Sequence, residues 1–301
     1  MKFAQHNIGT VKLFGKEYWN VDIKDTPHFK FLTGEEGIYD DYLEKSWGYA
    51  RKPKINSKKL RDDKKIKFSQ LAELEEIKEP VLICKFRNEE FIIDGNHRAA
   101  IGAFKNIEVP TVEMSFGEYI KKITEIPDFF YGSKNRNIPY QSIFYRGEEI
   151  VVGRRRDTLE RDAMIRKADI RGKSVVDIGC NLGASSILCA EKGAAEVCGY
   201  DIVPKIITAA IRVNILLGLP IWYDVADFGE HQNISGDTAL AFSIDRHIDN
   251  DGILAENLSR FGIVYFETHQ KGRIPDEVER IFKKEFIGKL GQRKIYRLTK
   301  I

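Results

Sequence analysis

Cysteine is scarce in this 301-residue chain, and its placement excludes two kinds of protein. Cys84, Cys180, Cys189 and Cys198 lie far apart, with no C-x-x-C pair among them. That pattern rules out a disulfide framework and a paired-cysteine zinc site, and it fits reduced thiols of a cytosolic protein. Long hydrophobic runs are missing too. No apolar stretch reaches about eighteen residues, the length that suggests a membrane-spanning helix. The opening run Met1-Lys2-Phe3-Ala4-Gln5-His6 has no apolar signal core, so a cytoplasmic protein without a membrane span is expected. An excess of one charge is also lacking. Lys and Arg number 48 against 45 Asp and Glu, a formal +3 that does not by itself argue for nucleic acid. Repeats and low-complexity tracts are absent, as is the phosphate loop G-x-x-x-x-G-K-[ST].

What is present is an ordinary core-forming mixture, 43% hydrophobic and 31% charged, in a chain long enough for two domains. Its most informative run is Val175-Val176-Asp177-Ile178-Gly179-Cys180-Asn181-Leu182-Gly183. It reads as a buried strand, a glycine turn and a helix starting near Ala184. The glycines let backbone approach a ligand closely, and the helix N-terminus offers unpaired N–H groups. A second apolar run, Val197-Cys198-Gly199-Tyr200-Asp201, ends in an acid at the spacing that suits ribose hydroxyls. Since G-C-N-L-G is not G-x-G-x-x-G, a nucleoside without a pyrophosphate is the better ligand, and S-adenosylmethionine fits.

From about residue 171 to 301 the chain resembles class I S-adenosylmethionine-dependent methyltransferases. D-I-G-C-N-L-G, the G-Y-D strand end at Asp201 and the later strand order carry the resemblance. It implies that Gly179, Asn181 and Gly183 pass under the methionine part and that Asp201 holds the ribose. Asp227, in Val225-Ala226-Asp227, lies where the family often has its adenine-side acid. Asp177, Cys180, Ile202 and Ser243 complete the expected cofactor wall, with Cys180 also readable as a packing residue. Alternating elements predict an α/β, Rossmann-like, mostly parallel sheet. Strands are expected at 174–178, 196–200, 220–224, 238–244 and 262–267. Helices are expected at 158–168, 184–192, 204–217, 252–259 and 275–285. Two tail strands over 286–299, turning near Gly291-Gln292, match the closing antiparallel hairpin that the resemblance implies.

A second motif lies earlier. Residues 81 to 114 read as strand (Val81 to Phe86), turn, strand (Phe91 to Ile93), helix to about Phe104, then strand (Val109 to Val112). Between the second strand and the helix runs Asp94-Gly95-Asn96-His97-Arg98. Gly95 permits a tight turn, Asn96 can cap the helix, and freed N–H groups with His97 and Arg98 can form an anion pocket. This stretch resembles the ParB/sulfiredoxin-like fold, whose members carry G-x-x-R at that turn. The resemblance implies a smaller α+β domain whose loop, Asp94 to Arg98, holds nucleotide phosphates. Sulfiredoxin's loop cysteine is replaced here by Asn96 and His97, so its chemistry is not expected. The competing reading is local capping and ion pairing by His97 and Arg98. The expected organisation is this domain at 1–126, a connector at 127–156 and the methyltransferase domain at 157–301. Further expectations are a hairpin over 11–23 around Gly15 and an aromatic segment at 38–50. The basic run 51–67 has nine Lys or Arg against two Asp, and reads either as a solvated face or as contact with an anionic substrate or nucleic acid.

Methyl transfer places the acceptor over the carboxyl ends of the fourth and fifth strands. The fourth ends in Phe242-Ser243-Ile244-Asp245-Arg246-His247 and the fifth in Glu267-Thr268-His269. His247 is the best placed general base, because imidazole titrates near neutrality, with Asp245 orienting it or acting itself. Glu267 and His269 are expected to face the acceptor. Metal ligation by Asp245, His247 and His269 is conceivable, since some O-methyltransferases use magnesium, but the spacing is not diagnostic and no metal site is assigned. No N/D-P-P-Y/F motif follows the fourth strand, which argues against methylation of adenine or cytosine amino groups. The connector, with Tyr140-Gln141 and Gly153-Arg154-Arg155-Arg156-Asp157 followed by Arg161, resembles those of methyltransferases related to tRNA wobble-uridine carboxymethyl transfer and to polysaccharide capping. That resemblance implies that Tyr140, Gln141 and an arginine among 154–156, with Arg154 and Arg156 as the candidates, reach the cofactor or an anionic acceptor.

The expected function is methyl transfer from S-adenosylmethionine to a polar, anionic small-molecule or glycan acceptor. The N-terminal domain would bind that acceptor or a nucleotide. Two alternatives stand beside it: an RNA- or nucleic-acid-modifying methyltransferase, and a non-catalytic nucleotide sensor. The sequence does not name an oligomeric state.

Overall fold

The computed structural model describes residues 2–3, 22–48, 57–124, 139–245, 247–269 and 273–301. The expected hairpin around Gly15, the basic stretch 51–56, the connector at 127–138 and Arg246 lie outside the described residues, as do the side chains at 44–48. The chain divides into two compact units: Met1–Ile123 with Ile211–Gly218, and Thr124–Ala210 with Leu219–Ile301.

In the first unit, helices α1 (Pro27–Leu32), α2 (Glu36–Gly48) and α3 (Ser57–Glu73) precede the main strands. A four-stranded sheet has the order β1-β3-β2-β4, from β1 (Lys2–Phe3), β2 (Val81–Phe86), β3 (Glu89–Asp94) and β4 (Thr111–Met114). The β2–β3 hairpin turns at Arg87 and Asn88, both at positive φ, and β4 pairs parallel to β2 after α4 (Asn96–Lys105). A parallel neighbour requires such a crossover. Helix α5 (Phe116–Thr124) follows β4. Tyr39, Phe68, Val81, Ile83, Ile92 and Ile101 form the core between helices and sheet. The described part of the basic run opens α3, whose lysines at 58, 59, 64 and 67 are exposed while Phe68 points inward.

One helical detail differs from expectation. Asn96 does not cap α4. Gly95, at φ +90, occupies the cap position with no side-chain bond, and Asn96 is the buried first helical residue. A left-handed turn at Gly95 brings the chain into the helix one residue earlier than an asparagine cap would.

The second unit opens with the hairpin β5 (Ile143–Tyr145) and β6 (Glu148–Val151), then α6 (Thr158–Ala163). Its sheet is built from β7 (Ser174–Ile178), β8 (Glu196–Asp201), β9 (Ile221–Val225), β10 (Gly236–Phe242), β11 (Phe261–Glu267), β12 (Phe282–Leu290) and β13 (Arg293–Lys300). The order is β12-β13-β11-β10-β7-β8-β9. The five strands from β11 to β9 run parallel; β13 is antiparallel to β11, and β12 to β13. Helices α7 (Ala184–Glu191), α8 (Pro204–Leu217) and α9 (Asp251–Leu258) connect them. The α/β, mostly parallel sheet with a closing hairpin is therefore present. Its central strands carry mostly apolar runs, such as Val175-Val176 and Ala239-Leu240-Ala241-Phe242, as expected of a parallel sheet buried on both faces.

Two expected helices are shorter. That at 158–168 stops at Ala163, followed by a 3-10 turn at Lys167–Asp169. That at 275–285 is only α10 (Asp276–Glu279), because β12 begins at Phe282. Ile274, Val278 and Phe282 are spaced four apart and share one core cluster. That spacing mimics a helix face, although Phe282 reaches the core from a strand.

Candidate functional site

A cavity of about 320 Å³ lies in the second unit at the carboxyl ends of β7, β8, β9 and β10. The loop after β7 forms its floor. Gly179 and Asn181 have φ of +70° and +50°, and both line the cavity with Asp177 and Cys180. Asp201 fixes this loop: Oδ2 accepts the Asn181 N–H at 3.0 Å and Oδ1 accepts the Val203 N–H at 3.0 Å. Burial raises the Asp201 pKa, against the lowering effect of those bonds. Asp177 is deeper. Ser186 Oγ donates to its Oδ2 at 2.6 Å, and burial pushes the carboxyl up to about 6. Burial likewise raises the Cys180 thiol well above its ordinary value, so it faces the cavity as an un-ionised group. Ile202 lines the cavity, as does Asp227, whose Oδ1 accepts the Gly229 N–H at 2.8 Å.

Gly183 stands apart. It caps α7 at φ +81° but does not line the cavity, and its missing side chain leaves room for the Tyr223 ring. The sequence placed it under the cofactor; the structure places it behind the wall.

The opposite wall is polar and joins residues distant in sequence. Tyr140, Gln141, Ser243, His247 and His269 line it. Arg293, at the start of β13, connects three of them. Its Nη1 donates to Tyr140 Oη at 3.2 Å and to Ser243 Oγ at 2.7 Å, and its Nη2 lies 3.3 Å from His269 Nε2. Behind this layer Glu267 is fully buried. It accepts from Arg155 Nη2 at 3.0 Å, Arg161 Nη1 at 3.3 Å and Ser243 Oγ at 2.8 Å. Burial would raise its pKa, but Arg161 and Arg155 outweigh burial and hold it below the usual glutamate value.

Glu267 therefore does not face an acceptor; the carboxylate is engaged by Arg155, Arg161 and Ser243, with Arg293 at 3.8 Å. Asp245 does not line the cavity either. It is buried, and its Oδ2 accepts the His269 N–H at 2.9 Å, which joins the ends of β10 and β11. His247 does line the cavity and its side chain is exposed. Arg154 and Arg156 are exposed and lie outside the lining; Arg154 sits over the Tyr140 ring, 5.3 Å from its centroid. The arginine that reaches this wall is Arg155, whose Nη1 lies 3.4 Å from Tyr140 Oη.

Sequence reasoning missed Arg293, and it placed Arg161 with the connector motif without foreseeing its burial. Arg293 follows a turn glycine in the tail, and Arg161 sits on a short helix; each reads as a solvated charge. Arg161 is 1% exposed, with its guanidinium 4.7 Å from the Phe242 ring centroid. Only tertiary pairing with Glu267 explains a buried arginine there.

In the first unit, a cavity of about 580 Å³ is lined by Asp94, Gly95, Asn96, His97 and Arg98, with Lys64 and Lys67 of α3. His97 is not a cation in this setting. Burial lowers its pKa to about 4, and its Nε2 lies 2.8 Å from Tyr39 Oη. Arg98 pairs with Glu79 and, at 3.7 Å, with Asp94. Local ion pairing therefore occupies Arg98, whereas His97 bonds Tyr39 and neither caps α4 nor joins an ion pair among the described residues.

No protein-family profile and no curated protein match the chain. Solved structures do. WbdD is 19% identical, with 54% of this chain and 44% of WbdD covered, at a TM-score of 0.46; another of its structures describes it as a bifunctional kinase-methyltransferase. The N-terminal domain of EvdMO1, solved with SAH and D-fucose, is 12% identical over 61% of this chain and 94% of that one, at a TM-score of 0.47. A TehB-like SAM-dependent methyltransferase from Corynebacterium glutamicum is 18% identical over 48% and 87%, at a TM-score of 0.38. The chain matches less than half the length of WbdD.

Proposed function

We propose that the second unit is an S-adenosylmethionine-dependent methyltransferase acting on a polar, anionic small molecule or glycan. The observation that carries this reading is the cavity at the strand ends, with Asp201 and Asp227 on one side and a loop of positive-φ residues beneath. Asn181 tests the fit. Its Oδ1 is buried and has no hydrogen-bond partner among the described residues. A buried acceptor without a donor is costly, and a ligand ammonium such as that of a methionine part would satisfy it. Asp201 would hold the ribose, Asp227 the adenine side, and Gly179 and Asn181 the methionine part. The volume lies at the low end of the usual range for small-molecule sites.

When bound, S-adenosylmethionine would supply an electrophilic methyl group. The protein's part is to orient the acceptor, exclude water and manage a proton. Gln141 and His247 supply polar contacts on the acceptor wall, and the arginine layer behind Tyr140 and Ser243 favours an anion. Incubation with methyl-labelled S-adenosylmethionine and fractionated cell extract tests this reading. Label in small polar anions or glycans supports it. Label only in RNA favours the nucleic-acid alternative, and no label in any fraction would count against methyl transfer.

For the first unit we infer an anion site, with a nucleotide as the expected ligand. Support comes from Lys64, Lys67 and Arg98 facing one cavity at the N-terminus of α4. Calorimetry of ATP, ADP and CTP against the full chain should give binding that weakens severalfold in Lys67→Ala. Equal heats for the two proteins would remove Lys67 from the site.

A further inference from the structure

The hydrogen bonds of the acceptor wall fix where its protons are. Arginine only donates. Tyr140 Oη, Ser243 Oγ and His269 Nε2 therefore all act as acceptors toward Arg293. Ser243 directs its own proton to Glu267. With Nε2 accepting, the His269 ring proton resides on Nδ1, and the lone pair is engaged with Arg293. Asp245 is outside the lining and holds the His269 backbone. Among the described groups bonded to Arg293, Tyr140 is the hydroxyl whose own proton is not directed to a neighbour, on an oxygen that already accepts from Arg155 and Arg293.

We propose that Tyr140 is the residue that takes the proton of a hydroxyl acceptor in this cavity. The assignment rests on the methyl-transfer reading. The step starts from the phenolate form of Tyr140. The acceptor oxygen bonds to the methyl carbon, the carbon–sulfur bond breaks with its electron pair remaining on sulfur, and the hydroxyl proton passes to Tyr140 Oη. The positive charge lost from sulfur balances the negative charge lost from the phenolate, and no other reactant is needed.

The surroundings lower the cost of ionising this phenol. Arg154 and Arg155 face the ring and oxygen from the connector, Arg293 from β13, and His269 lies beyond the end of β11. Asp157 and Glu267 pair with Arg155 from behind, and Glu267 also lies 3.8 Å from Arg293 Nη1; neither carboxylate bonds the phenol oxygen. Burial would raise the Tyr140 pKa, but hydrogen bonds from Arg293 and Arg155 outweigh it and hold it below the ordinary phenol value. Burial pushes Tyr39, Tyr42, Tyr119, Tyr223 and Tyr265 the other way, which separates them from Tyr140 in a titration.

The test is ultraviolet difference titration of tyrosinate on the full chain, wild type against Tyr140→Phe, with calorimetry of S-adenosylmethionine on the wild type. The expected result is one tyrosine ionising ahead of the rest, absent from Tyr140→Phe and shifted to higher pH in Arg293→Ala. Far-ultraviolet circular dichroism checks that each variant is folded. Identical titrations of wild type and Tyr140→Phe, with S-adenosylmethionine binding intact, would overturn the role of Tyr140 alone. Absence of S-adenosylmethionine binding to the wild type would overturn the methyl-transfer reading and the proton transfer with it.

Discussion

A methyl group added at Gly183 would stand 2.0 Å from Tyr223 Oη, on a residue at φ +81°. Both the clash and the backbone conformation oppose any side chain there. Gly183→Ala should therefore cost about 2 kcal/mol or more, from backbone strain plus displacement of a buried ring. Urea unfolding measures it; an unchanged midpoint would contradict the account. The loop 177–183 was legible in sequence because two glycines after a buried apolar run have few other meanings. The role of Gly183 was not legible. The Tyr223 ring that it accommodates sits on another strand, forty residues on. Arg293, and the buried role of Arg161, were illegible for the same reason. An arginine outside a motif reads as a surface charge, and its acid partner lies more than a hundred residues away in the case of Arg161 and Glu267.

At the scale of elements, the parallel strands were readable because burial on both faces leaves continuous apolar runs. The strand Ser174–Ile178 and the helix Pro204–Leu217 lie where the residue pattern puts them. The helix at 275–285 failed because Ile274, Val278 and Phe282 carry a helical period into a strand. Glu267 shows how elements are joined. It ends β11, binds Arg161 of α6, and through Arg155 holds the connector against the sheet. Glu267→Ala leaves Arg161 buried and uncompensated, at a cost of about 3–5 kcal/mol. The acid limb adds a sign. With its folded pKa held below the ordinary glutamate value, Glu267 stabilises above that value, and the contribution is lost as pH falls through the folded pKa. Glu267→Ala should thus lose stability at neutral pH and lose less at low pH. Chemical unfolding at both pH values checks this, and a deficit that grows in acid would contradict it.

At the scale of the whole molecule, the two units carry opposite buried titrations. His97, lowered to about 4 by burial, stabilises the first unit when neutral. That contribution is present above the ordinary imidazole pKa and is lost as pH falls from there through about 4, a loss of up to about 3 kcal/mol. Asp177, raised to about 6 by burial, acts in reverse. Its contribution is present below the ordinary carboxylate pKa and is lost as pH rises through about 6. Between pH 7 and 5 the first unit should weaken while the second holds or gains. Amide hydrogen exchange, corrected for intrinsic rate, reads each unit separately; equal loss of protection in both would refute the assignment.

The central claim is that the cavity beside Asp201 binds S-adenosylmethionine. Titration calorimetry of that compound against the full chain and against Asp201→Ala tests it most directly. The account predicts one-to-one binding to the wild type, weakened about tenfold or more when the carboxylate and its hydrogen bonds are removed. No binding to the wild type, or equal affinity for the two proteins, would contradict it.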